Sequence, residues 1–223
     1  MKSFSAGEIA EAVSGELLQG NPETVFECVS IDSRQVAKGA LFFALVGEKF
    51  DAHDFIHQAI TEGAGGLVVN RSVETGSWQG PVIVVADTLT ALQELARYNR
   101  QQFAGLVIGV TGSNGKTTTK DLISSVLEQK FRTLKTQGNY NNHIGLPLTL
   151  LKLDNSYGAA VLEMGMRGLG EIDLLADIAK PDGAIITNVG ETHLERLGSV
   201  SNIAKAKGEI LDHIKPEGFA VLN

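Results

Sequence analysis

The chain has 223 residues, 43% of them apolar and 20% charged, with a formal net charge of -7. Those totals suit one large or two modest soluble domains and argue against nonspecific attraction to nucleic acid or anionic membrane, so an anionic ligand must be held by local positive groups. One cysteine, Cys28, excludes an internal disulfide, and the longest apolar run, 40–46, is far short of the ~20 residues of a membrane span.

The N-terminal stretch MKSFSAGEIAEAVSGELL carries acids and lacks a continuous apolar centre, so it does not read as a secretory signal, and the cytoplasm is the expected location. Ser5 predicts the cap of a helix running through Val13, with Glu8 three residues on completing a capping box. LFFALV (41–46), GLVV (66–69) and VIVV (82–85) read as strands. Between the first two, His53 to Thr61 has helical spacing, and Thr88 to Gln102 reads as a longer helix with Leu89, Leu92, Leu95 and Ala96 on one face.

From Leu106 the rhythm becomes strand, helix, strand, helix. LVIGV (106–110), AAVLEM (159–164) and GAIITNV (183–189) are strands, and GFAVLN (218–223) begins another. Helices are predicted over Lys116–Gln129, Gly170–Ile178 and Val200–Ile214. Nearly continuous apolar strands alternating with helices imply a parallel sheet covered on both faces, with ligands beyond the carboxyl ends of its strands.

The stretch VIGVTGSNGKTTTK, Val107 to Lys120, joins a buried strand to a helix through a glycine-bearing turn. Unpaired N–H groups and the dipole at a helix start favour a phosphate, and Gly112 and Gly115 let backbone approach it closely. Lys116 supplies a point charge for terminal phosphates, and Thr117 a hydroxyl for Mg2+. The common G-x-x-x-x-G-K-[ST] pattern has glycine where this chain has Val110, so the loop is a variant. Thr111, Gly112, Ser113, Asn114, Gly115, Lys116, Thr117 and Thr118 are the candidate nucleotide-binding residues, with ATP as ligand. Glu163 ends a strand on the edge where this loop opens, and a carboxylate there can hold Mg2+. A lysine on the last helix, Lys207 or Lys205, otherwise reads as a solvated side chain.

The form TGSNGKTTT resembles the ATP loop of the Mur ligase superfamily, the ATP-dependent amide-forming ligases. EMGMRGLGEI (163–172), TNVGETHLERLGS (187–199), IAKAKGEIL (203–211), TQGNYNNHIGLPLTLL (136–151) and SIDSRQVAKGALFFALVGEKFDAHDF (30–55) extend the resemblance over nearly the whole chain. It implies an α/β fold: a small UDP-sugar-binding domain over 1–103, then the first part of a P-loop ATPase-type parallel-sheet domain over 104–223. The family has three domains, so the resemblance also implies a fragment, inactive alone, without the C-terminal ligase domain. Within the family these stretches look most like the member that adds D-alanyl-D-alanine to UDP-N-acetylmuramoyl-tripeptide, a monomer needing ATP and Mg2+, with no nucleic acid or membrane partner. Another amide ligase of the superfamily is the close alternative, and a nucleotide-dependent regulatory protein using the same loop the distant one.

The resemblance carries further residues. It makes Lys116, His193 and Lys207 catalytic, and Thr117, Glu163, His193 and Lys207 metal-binding, Lys207 after carbamylation turns its amine into a carboxylate-like ligand. It puts Ser33, Arg34, Gly47 and His53 near the UDP-sugar and Asn139 and Asn142 near the muramoyl peptide. On residues alone, Arg34 reads equally as the surface ion partner of Asp32, and Asn139, Asn141 and Asn142 as turn formers. Asn188 either orients the loop or ends its strand.

Overall fold

In the computed structural model, which describes residues 1–192 and 194–223, the chain divides into two units, Met1–Asn99 and Arg100–Asn223. The first contains β1 (Phe4–Ser5), α1 (Ala6–Ala12), β2 (Glu16–Gln19), β3 (Val25–Phe26), β4 (Val29–Ser30), β5 (Leu41–Phe43), α2 (Ile56–Glu62), β6 (Gly66–Val69) and β7 (Val82–Val84); α3 (Thr88–Gln101) runs through the division. The capping box forms as its residues dictate: Glu8 N–H donates to Ser5 Oγ at 3.2 Å, and Ser5 N–H to the Glu8 carboxylate at 2.7 Å. The sheet order is β2-β7-β6-β5-β4, with β4 to β7 parallel and β2 antiparallel on the edge. Phe42, Ala44, Leu67, Val69 and Val82 meet Ile56 and Ala59 of α2 in one buried cluster. Each such aliphatic side chain contributes roughly 1.5–3 kcal/mol by leaving water. The stretch expected as one helix from His53 opens instead as a 3-10 turn, Ala52–Phe55, because the Asp51 carboxylate accepts from His53 N–H at 2.9 Å and tightens the entry.

The second unit contains β8 (Leu106–Thr111), α4 (Lys116–Leu127), β9 (Thr133–Lys135), α5 (Gly145–Leu150), β10 (Ala159–Glu163), α6 (Glu171–Ala179), β11 (Gly183–Ile186), α7 (Leu194–Leu197), α8 (Val200–Gly208) and β12 (Phe219–Leu222). All its strands are parallel, in the order β12-β11-β8-β10-β9. Ile108, Val110 and Val161 pack on one face against Ile123 and Leu127 of α4. On the other face Gly109 leaves room for Ile210 and Met164, whose nearest atoms would lie 2.8 and 3.1 Å from an added Cβ. The connection after β8 departs toward β9 and that after β11 toward β12, so a crevice opens between the carboxyl ends of β8 and β11.

Further features depart from expectation. The helix expected over 200–214 stops at Gly208 and continues as a 3-10 turn, Glu209–His213. There the Glu209 carboxylate accepts from Gly170 N–H at 2.8 Å and Asp173 N–H at 3.1 Å, a negative group at the start of α6. The apolar stretch 183–189 is a strand only to Ile186, which frees 187–190 to line the crevice. Strand β9 and helix α5 were not expected from the sequence. Arg100 closes the other end of α6: Nε donates to Ala179 O at 2.7 Å, Nη2 to Lys180 O at 2.8 Å, and Nη1 to Phe103 O at 2.9 Å. Among the described residues no helix is long and apolar enough to cross a membrane.

Candidate active site

The loop after β8 is built against the segment after β11. Gly112 has φ +148°, and an added Cβ would overlap Thr187 Oγ1 and come within 3.1 Å of Thr187 N. Ser113 N–H donates to Asn188 O at 3.1 Å, Asn114 N–H to Asn188 Oδ1 at 3.0 Å, and Gly190 N–H to Ser113 Oγ at 2.8 Å. Thr187 Oγ1 and Asn188 Nδ2 both donate to Asn114 O. Asn188 thus orients the loop through both ends of its amide. Gly115, at φ +80°, turns the chain into α4, whose first N–H groups have no side-chain cap. Lys116 Nζ folds over the loop, donating to Gly112 O at 2.8 Å and lying 3.4 Å from Ser113 O. An ammonium and free helix-start N–H groups beside one turn make an anion site. Thr118 is exposed on the first turn of α4, and Thr111 Oγ1 is buried with no partner among the described residues.

Glu163 stands at the end of β10, paired in register with Val110, and is 4% exposed. Three groups fix it. Thr117 Oγ1 donates to Oε2 at 2.8 Å, Asn141 Nδ2 donates to Oε1 at 2.8 Å, and the Glu163 N–H donates to Thr136 Oγ1 at 2.9 Å. A carboxylate and a hydroxyl in direct contact at the loop mouth form a hard-oxygen donor set, which fits Mg2+. Lys207 lies on the buried side of α8 with Ile203 and Ala206, 2% exposed, whereas Lys205 is exposed. Burial, and secondarily the Lys116 charge, lowers Lys207 to about 8. The expectation for His193 lies outside the described residues.

The asparagines separate. Asn142 Oδ1 accepts from Ile144 and Gly145 N–H at 3.1 and 2.8 Å, opening α5, while Asn139 is exposed and its carbonyl accepts from Asn141 N–H. Only Asn141 touches Glu163. In the first unit Arg34 forks onto Asp32, with Nε–Oδ1 2.9 Å and Nη2–Oδ2 2.8 Å, and that bond holds Asp32 down at about 2. Ser33 Oγ donates to Gln58, and Gly47 N–H to Phe50 O. His53 is buried, its Nδ1 2.6 Å from Asp51 and its Nε2 accepting from Asn70 N–H at 3.1 Å, so both ring nitrogens are used within the fold. Ser33, Arg34, Gly47 and His53 all follow the carboxyl ends of β4 and β5.

The model of the Mur ligase middle domain matches residues 110–223, and that of the Mur ligase family catalytic domain matches 25–100. The chain belongs to the Mur ligase family. The UDP-N-acetylmuramoyl-tripeptide–D-alanyl-D-alanine ligase of Bacillus subtilis is 50% identical to this Mur ligase chain over 216 residues, covering 96% of this chain and 47% of that protein. MurF from Acinetobacter baumannii superposes with a TM-score of 0.92 at 39% identity, over 100% of this chain and 49% of its own. MurF ligase from Thermotoga maritima in complex with ADP gives a TM-score of 0.79 at 38% identity, over 87% and 45%. The chain spans about half the length of the curated relatives it matches. The α/β fold with a parallel-sheet domain is that of these neighbours.

Two residues packed beside Glu163 and its strand carried no sequence signal that selected them. Asn141 looked like its two neighbours in a turn, and only the fold shows which amide reaches β10. Lys120 looked like a polar helix residue but is 4% exposed, donating to Thr136 O at 2.9 Å and pairing with Asp121 at 3.3 Å.

Lys207 gives a stability prediction with a definite sign. Its folded value of about 8 lies below its unfolded one, so between about pH 8 and about 10.5 the unfolded chain binds the extra proton and stability rises with pH. Below pH 8 the charged, buried amine is a constant penalty of about 3 kcal/mol. Lys207→Met is therefore expected to stabilise the unliganded chain by about 2–3 kcal/mol at pH 7 in CO2-free buffer, with the gain vanishing by about pH 10.5. Urea unfolding across that range measures it.

Proposed function

We propose that this Mur ligase chain binds the phosphates of ATP and Mg2+ for the ATP-dependent joining of D-alanyl-D-alanine to UDP-N-acetylmuramoyl-tripeptide. The observation that carries the reading is Glu163 held against Thr117 at the mouth of the phosphate loop. The relatives named for that ligation, and the one described with ADP, support it. The substrate carboxylate attacks the γ-phosphate, an acyl phosphate forms as the bond to the β–γ bridging oxygen breaks and ADP leaves, and the amine of the dipeptide then displaces inorganic phosphate, losing a proton as the amide forms. Loop N–H groups and Lys116 would hold the phosphates, and Thr117 and Glu163 would hold Mg2+, which when bound would supply charge neutralisation. Ser33, Arg34, Gly47 and His53 of the first unit are assigned to the UDP-sugar, and Asn139 and Asn142 of the second unit to the peptide. The proposed setting is peptidoglycan precursor synthesis in the cytoplasm, which cell-wall growth and division require, carried out by a monomer.

Lys207 is proposed to carry a carbamate. Its neutral amine adds to CO2, forming the N–C bond and releasing a proton, and the resulting anion would serve as a metal ligand, the role also proposed for His193. At pH 7.5 an amine with a value of about 8 is about a quarter neutral, against about one part in a thousand for an ordinary lysine. A carbamate carbonyl resonance under 13C-labelled CO2, absent in Lys207→Met, is the check.

The binding reading is tested by calorimetric titration of ADP with and without Mg2+. Lys116→Ala is expected to weaken ADP by about 10–100-fold, the worth of a charge-assisted hydrogen bond of about 1.5–3 kcal/mol. Unchanged affinity would remove Lys116 from the phosphate site. A parallel titration with UDP-N-acetylmuramoyl-tripeptide tests the first unit.

A further inference from the structure

The proposed Mg2+ reading leaves open what aims Glu163. Its two oxygens are taken by different parts of the fold: Oε2 by Thr117 on the phosphate-loop helix and Oε1 by Asn141 in the segment between β9 and α5. Asn141 is itself anchored. Gly165 N–H donates to Asn141 O at 2.9 Å, and the bare Gly165 lies flat against the Asn141 amide, with its Cγ and Oδ1 3.1 Å from where a Cβ would stand. The same segment is tied to β10 upstream, where Thr136 Oγ1 accepts from Glu163 N–H and Thr136 O accepts from the buried Lys120 ammonium. Asn142, next in sequence, is spent on opening α5, and Asn139 is exposed.

We propose that Asn141 is a positioning residue that sets the rotation of the Glu163 carboxylate, with Gly165 as the surface that holds the amide in place. The inference rests on Glu163 being the Mg2+ carboxylate. An amide N–H on Oε1 fixes the plane of the carboxylate and directs Oε2 toward Thr117. A side chain that orients a metal ligand through hydrogen bonding typically matters by about 10–100-fold in metal affinity. Mg2+ demands near-octahedral geometry at short distances, whereas Ca2+ accepts variable coordination. Releasing Glu163 from Asn141 therefore penalises Mg2+ more than Ca2+, a selectivity that loss of packing alone does not produce.

The experiment measures ADP affinity of this chain by calorimetry in EDTA, in Mg2+ and in Ca2+, for wild type, Glu163→Gln, Asn141→Ala and Gly165→Ala. The quantity read is the factor by which each metal tightens ADP. Glu163→Gln is expected to abolish the Mg2+ factor. Asn141→Ala is expected to reduce the Mg2+ factor about tenfold or more and the Ca2+ factor by distinctly less. Gly165→Ala keeps the asparagine but displaces its amide, so it is expected to move the factors in the same direction by a smaller amount, and it carries the test should Asn141→Ala fail to fold. A Mg2+ factor lost in Glu163→Gln but intact in Asn141→Ala or Gly165→Ala overturns the positioning role while sparing the metal reading. Equal losses for the two metals overturn it as well. A Mg2+ factor retained in Glu163→Gln brings down the metal reading and the positioning role with it.

Discussion

Gly112→Ala is expected to be strongly damaging to the second unit, costing about 3 kcal/mol in stability and weakening ADP at least tenfold. Two causes combine there. The backbone sits at φ +148°, which side-chain-bearing residues rarely adopt, and the new Cβ meets Thr187, whose Oγ1 it overlaps and whose N lies within 3.1 Å. Thr187 cannot retreat freely, because its N–H donates to Thr111 O at 3.0 Å and its hydroxyl to Asn114 O. The loop must move instead, and with it the N–H groups of the proposed phosphate site. Gly115→Ala provides the contrast. Its φ of +80° is also left-handed, yet the nearest atom to an added Cβ is 4.0 Å away, so only backbone strain of about 1–2 kcal/mol applies. Adding Thr187→Ala to Gly112→Ala is expected to restore part of the loss. Thermal unfolding and ADP titration of the three variants give the ranking; equal effects at positions 112 and 115 would exclude the overlap as the cause.

Arg100→Ala is expected to destabilise the second unit by about 3–5 kcal/mol, lowering its unfolding midpoint by roughly 10–20 °C. The guanidinium is 7% exposed and donates to three carbonyls, with Asp182 Oδ2 3.5 Å from Nη2. Burial lowers its proton affinity and the Asp182 charge opposes that shift; an arginine nonetheless stays ionised. Its removal leaves Ala179 O, Lys180 O and Phe103 O short of a donor and takes a cation from the carboxyl end of α6. Arg100→Lys is expected to recover less than half of the loss, since one ammonium cannot span the positions that a planar fork reaches. Chemical denaturation of the three proteins measures this, and a loss below 1 kcal/mol for Arg100→Ala would mean that water satisfies those carbonyls.

What the sequence made legible was whatever depends on short-range periodicity. LVIGV, AAVLE and GAII are apolar without interruption because strands with both faces covered have no polar side, and they form the central strands of the parallel sheet. The turn TGSNGKT showed itself because few residue types tolerate that backbone. Strand β9 was illegible: Thr133-Leu134-Lys135 is three residues long and buries only Leu134. Helix α5 was illegible for the opposite reason, since Gly145, Leu146, Pro147, Thr149 and Leu150 are all buried and leave no polar stripe to mark a period. In the site, Lys207 stood out from Lys205 only through resemblance, and its burial supplies the physical difference. Asn141 and Lys120 act across sequence separations of 22 and 16 residues, which no local pattern encodes.

The clasp between the loop at 112–115 and the segment at 187–190 is made entirely of the fold's own groups, with backbone and amide bonds running in both directions. The conformational freedom of that turn is therefore surrendered during folding rather than at the moment a nucleotide arrives. Fixing a single residue costs about 1–2 kcal/mol in entropy, so a floppy turn of four would have to subtract several kcal/mol from its affinity, whereas the proposed capture of phosphate by this turn would proceed as the docking of one rigid shape on another.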